Sequence, residues 1–233
     1  MSSGKIAVQL AEKFYQAGWD VTSILTKSVK HQLHEDKEHL RVVRFETTDE
    51  LLRVIQEESK REHYDVVIHS AAVADYKPEF SFRMEDMATK LTYKVLELTH
   101  NEMNYERLYA DIFATLTNPN CKVNDDTKIS SCEPNLTVKL GLTPKIIASL
   151  RDMFPDAYIC GFKLLENVPE AELVEAAVSQ IKKCKTDMCF ANDLAELRKG
   201  SAMRLVVTGN GYNDIKVDGA EGIFNIIKIA TEN

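Results

Sequence analysis

The sequence predicts an α/β fold: a three-layer, doubly wound, Rossmann-like and mostly parallel sheet that carries an inserted flap or dimerisation segment. Short β-branched segments alternate with amphipathic segments of helical length, and this alternation is typical of right-handed βαβ units in a parallel sheet. One stretch, residues 79–127, breaks the alternation. We therefore predict a single domain over residues 1–233 with an insertion at about 79–127.

The amino-terminal part is predicted to begin with a helix. Apolar residues repeat at helical spacing from Ile6 to Phe14, and Gly18 ends the repeat. A second helix follows Thr48, which we predict to be its N-cap. The strands predicted in this part, all rich in β-branched residues, lie at 20–26, 40–45 and 64–70.

After residue 127 the alternation resumes. Strands are predicted at 136–140, 157–164 and 187–191, and helices at 144–154 and 169–183, each of the two helices with a proline at its start. The sequence Gly209-Asn210-Gly211 predicts a hairpin turn between strands at 203–208 and 214–217. A closing helix is predicted at about 220–230.

The insertion is rich in Met, Glu, Asn and Thr. It contains an amphipathic stretch at 105–116 and ends in the turn-forming Asn118-Pro119-Asn120. An excursion of about 50 residues is long enough for a functional flap or a dimerisation arm. A passive surface decoration is the alternative.

Composition and charge argue against several classes of protein. The net charge of −7 and the pI near 5.5 disfavour a nucleic-acid coat or a binder of anionic membranes. Five cysteines without a C-x-x-C pair, and no apolar signal-peptide core, favour a cytoplasmic location. No apolar run approaches the roughly 18 residues of a membrane helix. The six histidines are scattered, so we expect no dedicated zinc site.

Residues 64–78 are the most informative stretch. An apolar strand is followed by the small residues Ala71 and Ala72 and then by Asp75. Ligands of open α/β sheets bind beyond the carboxyl ends of the strands, so small residues there leave space and Asp75 supplies a charge. The alternative is that the two alanines only permit close packing of the next segment.

Three other predicted positions fall at the same edge of the sheet. Lys128 stands at a loop-to-strand junction, where it can neutralise phosphoryl charge. Phe162 closes one strand and offers a ring on which a nucleobase can stack, and Asn192 closes the next strand. Taken singly, these residues are equally consistent with a solvated lysine, a core aromatic and a turn.

Residues Ser2-Ser3-Gly4-Lys5 stand directly before the first helix. Free backbone N–H groups and the helix dipole attract anions there, which suits a phosphate. Serine before a helix is also an ordinary N-cap. The stretch is not a Walker motif, which needs two glycines and a Gly-Lys-Ser or Gly-Lys-Thr end.

These motifs, in this order, resemble the phosphopantothenate–cysteine ligase (phosphopantothenoylcysteine synthetase) family. The landmarks are Ser-Ser-Gly-Lys before a helix, Ala-Ala-Val-Ala-Asp-Tyr, Lys-Ile, Thr-Pro-Lys-Ile-Ile, Gly-Phe-Lys-Leu and Ala-Asn-Asp. The likeness covers nearly the whole chain. Its length and the Gly-Phe-Lys-Leu variant resemble the monofunctional bacterial form.

The resemblance implies a cytoplasmic ligase of coenzyme A biosynthesis that joins 4'-phosphopantothenate to cysteine. CTP, or ATP, with Mg²⁺ would activate the pantothenate carboxylate as an acyl nucleotide, and the amine of cysteine would then attack it. The family pattern implies no covalent enzyme nucleophile and no metal held by the protein's own side chains. It also implies a homodimer whose partners are small molecules rather than nucleic acid or membrane.

The resemblance also assigns residues. Lys128 would be catalytic, and Ala71, Ala72 and Asp75 would bind phosphopantothenate or the acyl nucleotide. The insertion would be the dimer-associated flap. The implied nucleotide-binding residues are Ser2, Gly4, Pro144, Lys145, Ile146, Ile147, Phe162, Lys183 and Asn192.

The chain departs from the family pattern at its start. Family members begin with a strand, a Gly-Gly-Thr loop and an asparagine that precede Ser-Ser-Gly, and Ala7 replaces a glycine of the first helix turn. A missing central strand would leave its neighbours with unpaired edges. The alternatives are a start further upstream, another segment in that place, or a catalytically impaired homologue that binds nucleotide or phosphopantothenate. A nicotinamide-dependent reductase is disfavoured, because no Gly-x-Gly-x-x-Gly follows a first strand.

Overall fold

The computed structural model describes residues 4–29, 38–99, 104–123 and 134–232. The chain divides into two compact units, of which the first comprises Met1–Val73 and Pro144–Asn233 and the second comprises Ala74–Thr143. We call the first the core unit and the second the inserted unit.

Helices and strands alternate along most of the described chain. The helices are α1 (Lys5–Gln16), α2 (Thr48–Arg61), α3 (Met84–Thr99), α4 (Tyr105–Thr117), α5 (Ile146–Met153), α6 (Glu170–Cys184), α7 (Leu194–Arg198) and α8 (Gly219–Thr231). The strands are β1 (Val21–Thr26), β2 (Leu40–Phe45), β3 (Val66–His69), β4 (Tyr76–Arg83), β5 (Lys122–Val123), β6 (Leu136–Leu142), β7 (Tyr158–Leu165), β8 (Met188–Asp193), β9 (Met203–Thr208) and β10 (Gly211–Asp218).

The core unit has the predicted α/β architecture. Strands β3, β7 and β8 are parallel, and β9 and β10 continue the same sheet in antiparallel pairing. Helices α1 and α8 pack on one face around Phe14 and Ile223. The opposite face is covered by α2 and α5, around Ile146 and Ile159, and by α6 through Ala177. The three-layer, Rossmann-like α/β fold is therefore confirmed, but the main sheet is mixed rather than mostly parallel, with two parallel and two antiparallel pairings.

Strands β1 and β2 form a separate parallel pair in the core unit. Val21 of β1 and Val66 of β3 nevertheless contact the same apolar cluster under α1 and α8. All residues of β3 are only half-buried, whereas β8 is buried from Met188 to Asn192. Within the described residues, β1 pairs only with β2 and β3 only with β7, so each leaves one edge unpaired.

Local details at two helix starts differ from the prediction. The N-cap of α2 is Thr47 and not Thr48, because Thr47 has extended backbone angles and its hydroxyl accepts from the Glu50 N–H at 3.2 Å. Pro144 precedes α5 rather than lying in its first turn, and Lys145 occupies the N-cap position.

The inserted unit contains its own three-stranded sheet, in the order β5-β4-β6. The prediction that the strand beginning at Leu136 belongs to the main sheet is wrong, because β6 pairs antiparallel with β4 from Tyr76 to Arg83. The amphipathic stretch at 105–116 forms α4, which packs against α3. The sequence analysis did not predict α3.

None of the helices in the described part of the chain is both long and apolar enough to span a lipid bilayer.

Candidate functional site

The carboxyl ends of β3, β7 and β8 lie at one edge of the core sheet, because these strands are parallel neighbours. Strand β7 extends to Leu165, so Phe162 lies within the strand and not at its end. Phe162 pairs with Phe190 of β8, and Lys163 pairs with Ala191. Successive side chains of a strand point to opposite faces, so Phe162 and Lys163 lie on different faces of the sheet.

Phe162 and Asn192 belong to the face that α1 and α8 cover. The ring of Phe162 packs against Phe190 with centroids 5.3 Å apart, and Asn192 is buried. Ile6, in the first turn of α1, contacts the same cluster, which brings the helix start after Gly4 toward this face. The structure therefore brings three predicted nucleotide-binding residues to one side of the sheet: Gly4, Phe162 and Asn192.

Gly4 has a specific structural requirement at the start of α1. Its φ is +68°, in the left-handed region that favours glycine, and a Cβ there would lie 2.5 Å from Cγ2 of Val29. Among the described residues, no side chain caps α1. The first-turn N–H groups of the helix are therefore not occupied by a side-chain cap, as an anion-binding start requires.

The opposite face brings a second group of predicted residues together, around Gly161. A Cβ on Gly161 would lie 2.8 Å from Cδ1 of Ile147 and 2.9 Å from Nε2 of Gln180. The Gln180 amide also donates to the carbonyl of Phe162 at 3.3 Å. Glycine at this position lets the start of α5 and the middle of α6 approach β7 closely.

The start of α5 offers backbone donors at this face. The N-cap residue Lys145 makes no side-chain capping hydrogen bond, and the first turn of the helix contains no acidic residue. Ile146 is buried in the core, so only its backbone is available to a ligand, whereas Ile147 is half-buried and Pro144 and Lys145 are exposed. The positive end of α5 therefore faces the same edge as Gly161.

The positive charges of three lysines influence the thiol of Cys184, in the last turn of α6. Burial raises the pKa of this thiol, and the positive charges of Lys183, Lys145 and Lys163 oppose the rise, in that order. No carboxylate in the described part of the chain forms an ion pair with any of the three lysines. We call Lys145, Lys163 and Lys183 the lysine cluster. Unpaired cations beside a helix start create a positive potential that attracts anionic ligands.

Ala71 and Ala72 follow β3 in irregular backbone and are exposed. Asp75 is exposed and belongs to the inserted unit, where its carbonyl accepts from the Thr143 N–H at 2.9 Å. Ser2 and Lys128 lie outside the described residues.

The sequence analysis quoted Lys163 within a motif but did not select it as a site residue. Strand parity could have found it, because Lys163 shares the face of Gly161 and not that of Phe162. Nothing in the sequence marks Gln180 as a site residue, because its role depends on how closely α6 approaches β7. Among the described residues, no group of three His, Cys, Asp or Glu side chains is placed to hold a metal ion.

Comparisons with known proteins identify a matching family. The family described as the DNA/pantothenate metabolism flavoprotein C-terminal domain matches residues 1–116. The coenzyme A biosynthesis bifunctional protein CoaBC of Thermococcus kodakarensis is 31% identical over 193 residues, which are 83% of this chain and 36% of that protein. This chain thus spans about a third of the length of that curated relative.

Solved structures show the same fold. The DNA/pantothenate metabolism flavoprotein from Streptococcus pneumoniae is 28% identical, with a TM-score of 0.73 over 100% of this chain and 90% of that chain. The Cab2 mutant H337A, solved in complex with phosphopantothenate-cysteine, shares the fold at 16% identity and a TM-score of 0.61, over 100% of this chain and 79% of that chain. The chain belongs to the DNA/pantothenate metabolism flavoprotein C-terminal domain family, which confirms the resemblance that the motifs indicated.

Proposed function

We propose that this chain is a phosphopantothenate–cysteine ligase of coenzyme A biosynthesis, which forms 4'-phosphopantothenoyl-cysteine with the help of CTP or ATP. The observation that carries the proposal is the start of α5, which lies against Gly161 of β7 and has positive charge beside it from Lys145 at its N-cap and from Lys163 on the same face of β7. Membership of the family supports it, as does the name of the Thermococcus relative, a coenzyme A biosynthesis protein.

The proposed substrates match the charge of this edge. Phosphopantothenate carries a phosphate and a carboxylate, and a nucleoside triphosphate carries several more negative charges. Lysines and free helix N–H groups stabilise such anions. Magnesium enters as part of the substrate, bound to the phosphate oxygens of the nucleotide, in keeping with its preference for phosphates and water over protein cages.

The reaction needs activation, because a carboxylate is a poor electrophile. In the first step the carboxylate oxygen of phosphopantothenate bonds to the α-phosphorus of the nucleotide, and the bond to the leaving pyrophosphate breaks. In the second step the amine of cysteine bonds to the carbonyl carbon, the nucleoside monophosphate leaves and the amine loses a proton. The lysine cluster offsets the charge that develops on the phosphates.

The residue roles follow the resemblance, with additions from the geometry. Lys128 is the proposed catalytic residue, and Ala71, Ala72 and Asp75 the proposed substrate-binding residues. Lys163 joins the nucleotide site, and Ile146 takes part only through its backbone because its side chain is buried. The remaining proposed nucleotide-binding residues are Ser2, Gly4, Pro144, Lys145, Ile147, Phe162, Lys183 and Asn192. We also propose that the enzyme acts in the cytoplasm.

The test is a turnover assay on the full-length protein with CTP or ATP, phosphopantothenate, cysteine and Mg²⁺. We expect pyrophosphate release that depends on phosphopantothenate, because the carboxylate is the acceptor in the first step. Omission of cysteine should leave at most one pyrophosphate per site. If no pyrophosphate is released with either nucleotide, the ligase proposal is wrong.

A second candidate is a homologue that binds nucleotide or phosphopantothenate without turnover. The edge of β3 that is unpaired among the described residues favours it, because β3 leads into Ala71 and Ala72. Titration calorimetry with nucleotide distinguishes the two candidates. Binding without pyrophosphate release supports the second, and turnover excludes it.

A further inference from the structure

Strands β8 and β9 stop pairing before they reach the carboxyl edge of the core sheet. Their last paired residues are Ala191 and Leu205. Beyond that point, within the described part of the chain, β8 pairs only with β7, and β9 pairs only with β10. In open α/β sheets, a crevice outside the carboxyl ends of the strands is the usual place for a ligand. The parting of β8 and β9 creates a position of this kind.

Arg204 of β9 and Asn192 of β8 flank the point where the two strands part. If the antiparallel register is continued by one residue beyond the last pair, Arg204 lies opposite Asn192. The apolar cluster under α1 and α8 contains Val217, which pairs with Arg204. It also contains Phe190, two residues before Asn192. Arg204 and Asn192 therefore belong to the same face of the sheet.

The guanidinium of Arg204 is half-buried and has no ion-pair partner among the described residues. Its Nη1 donates to the carbonyl of Ala202 at 2.7 Å, whereas its Nε is buried and has no hydrogen-bond partner. Burial lowers the pKa of Arg204, and the negative charge of Asp218 opposes this shift without forming an ion pair. A buried cation that lacks a paired anion costs free energy. Without a ligand, the fold therefore retains Arg204 at a cost to its stability.

Asn192 adds a second polar side chain without a partner. It is 8% exposed, and no described residue forms a hydrogen bond with its amide. Buried polar side chains nearly always have a hydrogen-bond partner, so an exception calls for an explanation. An unpartnered amide and an unpaired guanidinium thus lie on either side of the point where β8 and β9 part. A ligand with anionic oxygens would satisfy both.

We propose that Arg204 binds a phosphate group of a substrate, with Asn192 as its polar neighbour. This inference rests on the proposed ligase function, which supplies two substrates with phosphate groups, the nucleotide and phosphopantothenate. A guanidinium suits phosphate because its planar fork of N–H donors can bond two phosphate oxygens at once. The bound phosphate also supplies the negative charge that Arg204 lacks. Arg204 is not among the residues that the family resemblance assigns.

A purely structural role of Arg204 predicts a different effect on stability. In that case Arg204 would hold the turn before β9 through the carbonyl of Ala202, and its removal would destabilise the fold. If Arg204 instead serves a ligand, removal of its unpaired charge relieves a cost. Arg204→Gln should then leave the melting temperature of the ligand-free protein unchanged or raise it, because the Gln amide can still donate to the Ala202 carbonyl.

Titration calorimetry of the full-length protein tests the proposal, with CTP or ATP plus Mg²⁺ in one arm and phosphopantothenate in the other. The key variant is Arg204→Gln. The matched control is Arg198→Gln, because Arg198 is exposed and pairs with Glu166. We expect Arg204→Gln to raise the dissociation constant of at least one ligand about tenfold or more, and Arg198→Gln to change both by less than about twofold. The ligand whose dissociation constant rises is the source of the phosphate.

A second variant, Arg204→Lys, keeps the charge but not the planar fork, and it decides the question if Arg204→Gln does not fold. It should raise the same dissociation constant about threefold or more. The proposal is overturned if the wild type binds neither ligand, or if the Arg204 variants bind both as tightly as the wild type. It is overturned as well if Arg204→Gln lowers the melting temperature of the ligand-free protein, since Arg204 would then be structural. A raised dissociation constant without pyrophosphate release by the wild type would refute the ligase proposal and support the assignment of Arg204.

Discussion

The core unit buries its large apolar side chains, whereas the inserted unit exposes several of its own. Phe190 and Ile223 of the core unit are fully buried, between the sheet and its covering helices. In the inserted unit, Tyr105 and Leu142 are among the most exposed large apolar residues of the described chain. Large apolar side chains thus form the interior of the core unit, whereas several of those in the inserted unit remain on its surface.

The sequence patterns of single strands explain part of this contrast. Strand β8 is flanked by strands on both sides and covered on both faces, so its residues form a nearly continuous apolar run. Strand β6 alternates, and Val138, Leu140 and Leu142 all lie on its exposed side. A buried strand and a half-exposed strand therefore differ in period before any tertiary contact is considered.

The largest expected effect is a loss of stability when a buried side chain of the core unit is truncated. Truncation of an exposed side chain of the inserted unit should have little effect. Phe190→Ala should lower the free energy of unfolding by about 3–5 kcal/mol, because it leaves a cavity in a fully buried site. Leu142→Ala, at a residue that is 73% exposed, should change it by no more than about 0.5 kcal/mol. Urea denaturation of both variants measures the difference, and equal losses would contradict the contrast between the units.

The next effect concerns the lysine cluster. Lys163→Ala should lower kcat/KM for the nucleotide about 10²-fold, because one cation that offsets phosphate charge is removed. The exposed neighbour Lys182 provides the control, and Lys182→Ala should leave kcat/KM within about twofold. Steady-state pyrophosphate release measures both. Equal activity of Lys163→Ala and wild type would remove Lys163 from the site.

The smallest effect is a pH dependence at the end of β8. Backbone N–H groups of Val168, Ala195 and Glu196 donate to the Asp193 carboxylate, and these bonds, that of Val168 above all, lower its pKa below the usual value. A carboxyl with a depressed folded pKa stabilises the fold above its unfolded pKa of about 3.9, and the contribution is lost as pH falls through the folded pKa.

Asp193→Asn should therefore be less stable than wild type at pH 7, and the gap should narrow as the pH falls below about 4. The exposed Asp156 gives the control, and Asp156→Asn should track the wild type throughout. Thermal unfolding between pH 7 and pH 3 measures the gap. A gap that stays constant with pH would refute the assignment to this carboxylate.

Much of the fold was predictable because strong periodicity and turn chemistry are local. The repeat from Ile6 to Phe14 predicted α1, and Gly209-Asn210-Gly211 predicted the β9–β10 hairpin. The pairing partners of the strands were harder to predict. Nothing in the local sequence distinguishes a strand of the main sheet from β6, which pairs with β4. Helix α3 was not predicted, because 79–127 was interpreted as an insertion with one amphipathic stretch, at 105–116.

The candidate site was predictable to a similar degree. Residue types at strand ends pointed to Ala71, Phe162 and Asn192, and the structure places the latter two on one face. That Lys163 joins Lys145 on the other face depends on how α5 and α6 pack on the sheet. A close approach of this kind, which Gly161 permits, has no signature in a single sequence.

The central claim is that this chain activates a carboxylate and then transfers it to cysteine. The most direct measurement is mass spectrometry of a reaction of the full-length protein with phosphopantothenate, cysteine, Mg²⁺ and CTP or ATP, with pyrophosphate counted in parallel. We predict 4'-phosphopantothenoyl-cysteine in equal amount to the pyrophosphate, and none without nucleotide. Binding of nucleotide with no amide product under any of these conditions would contradict the claim.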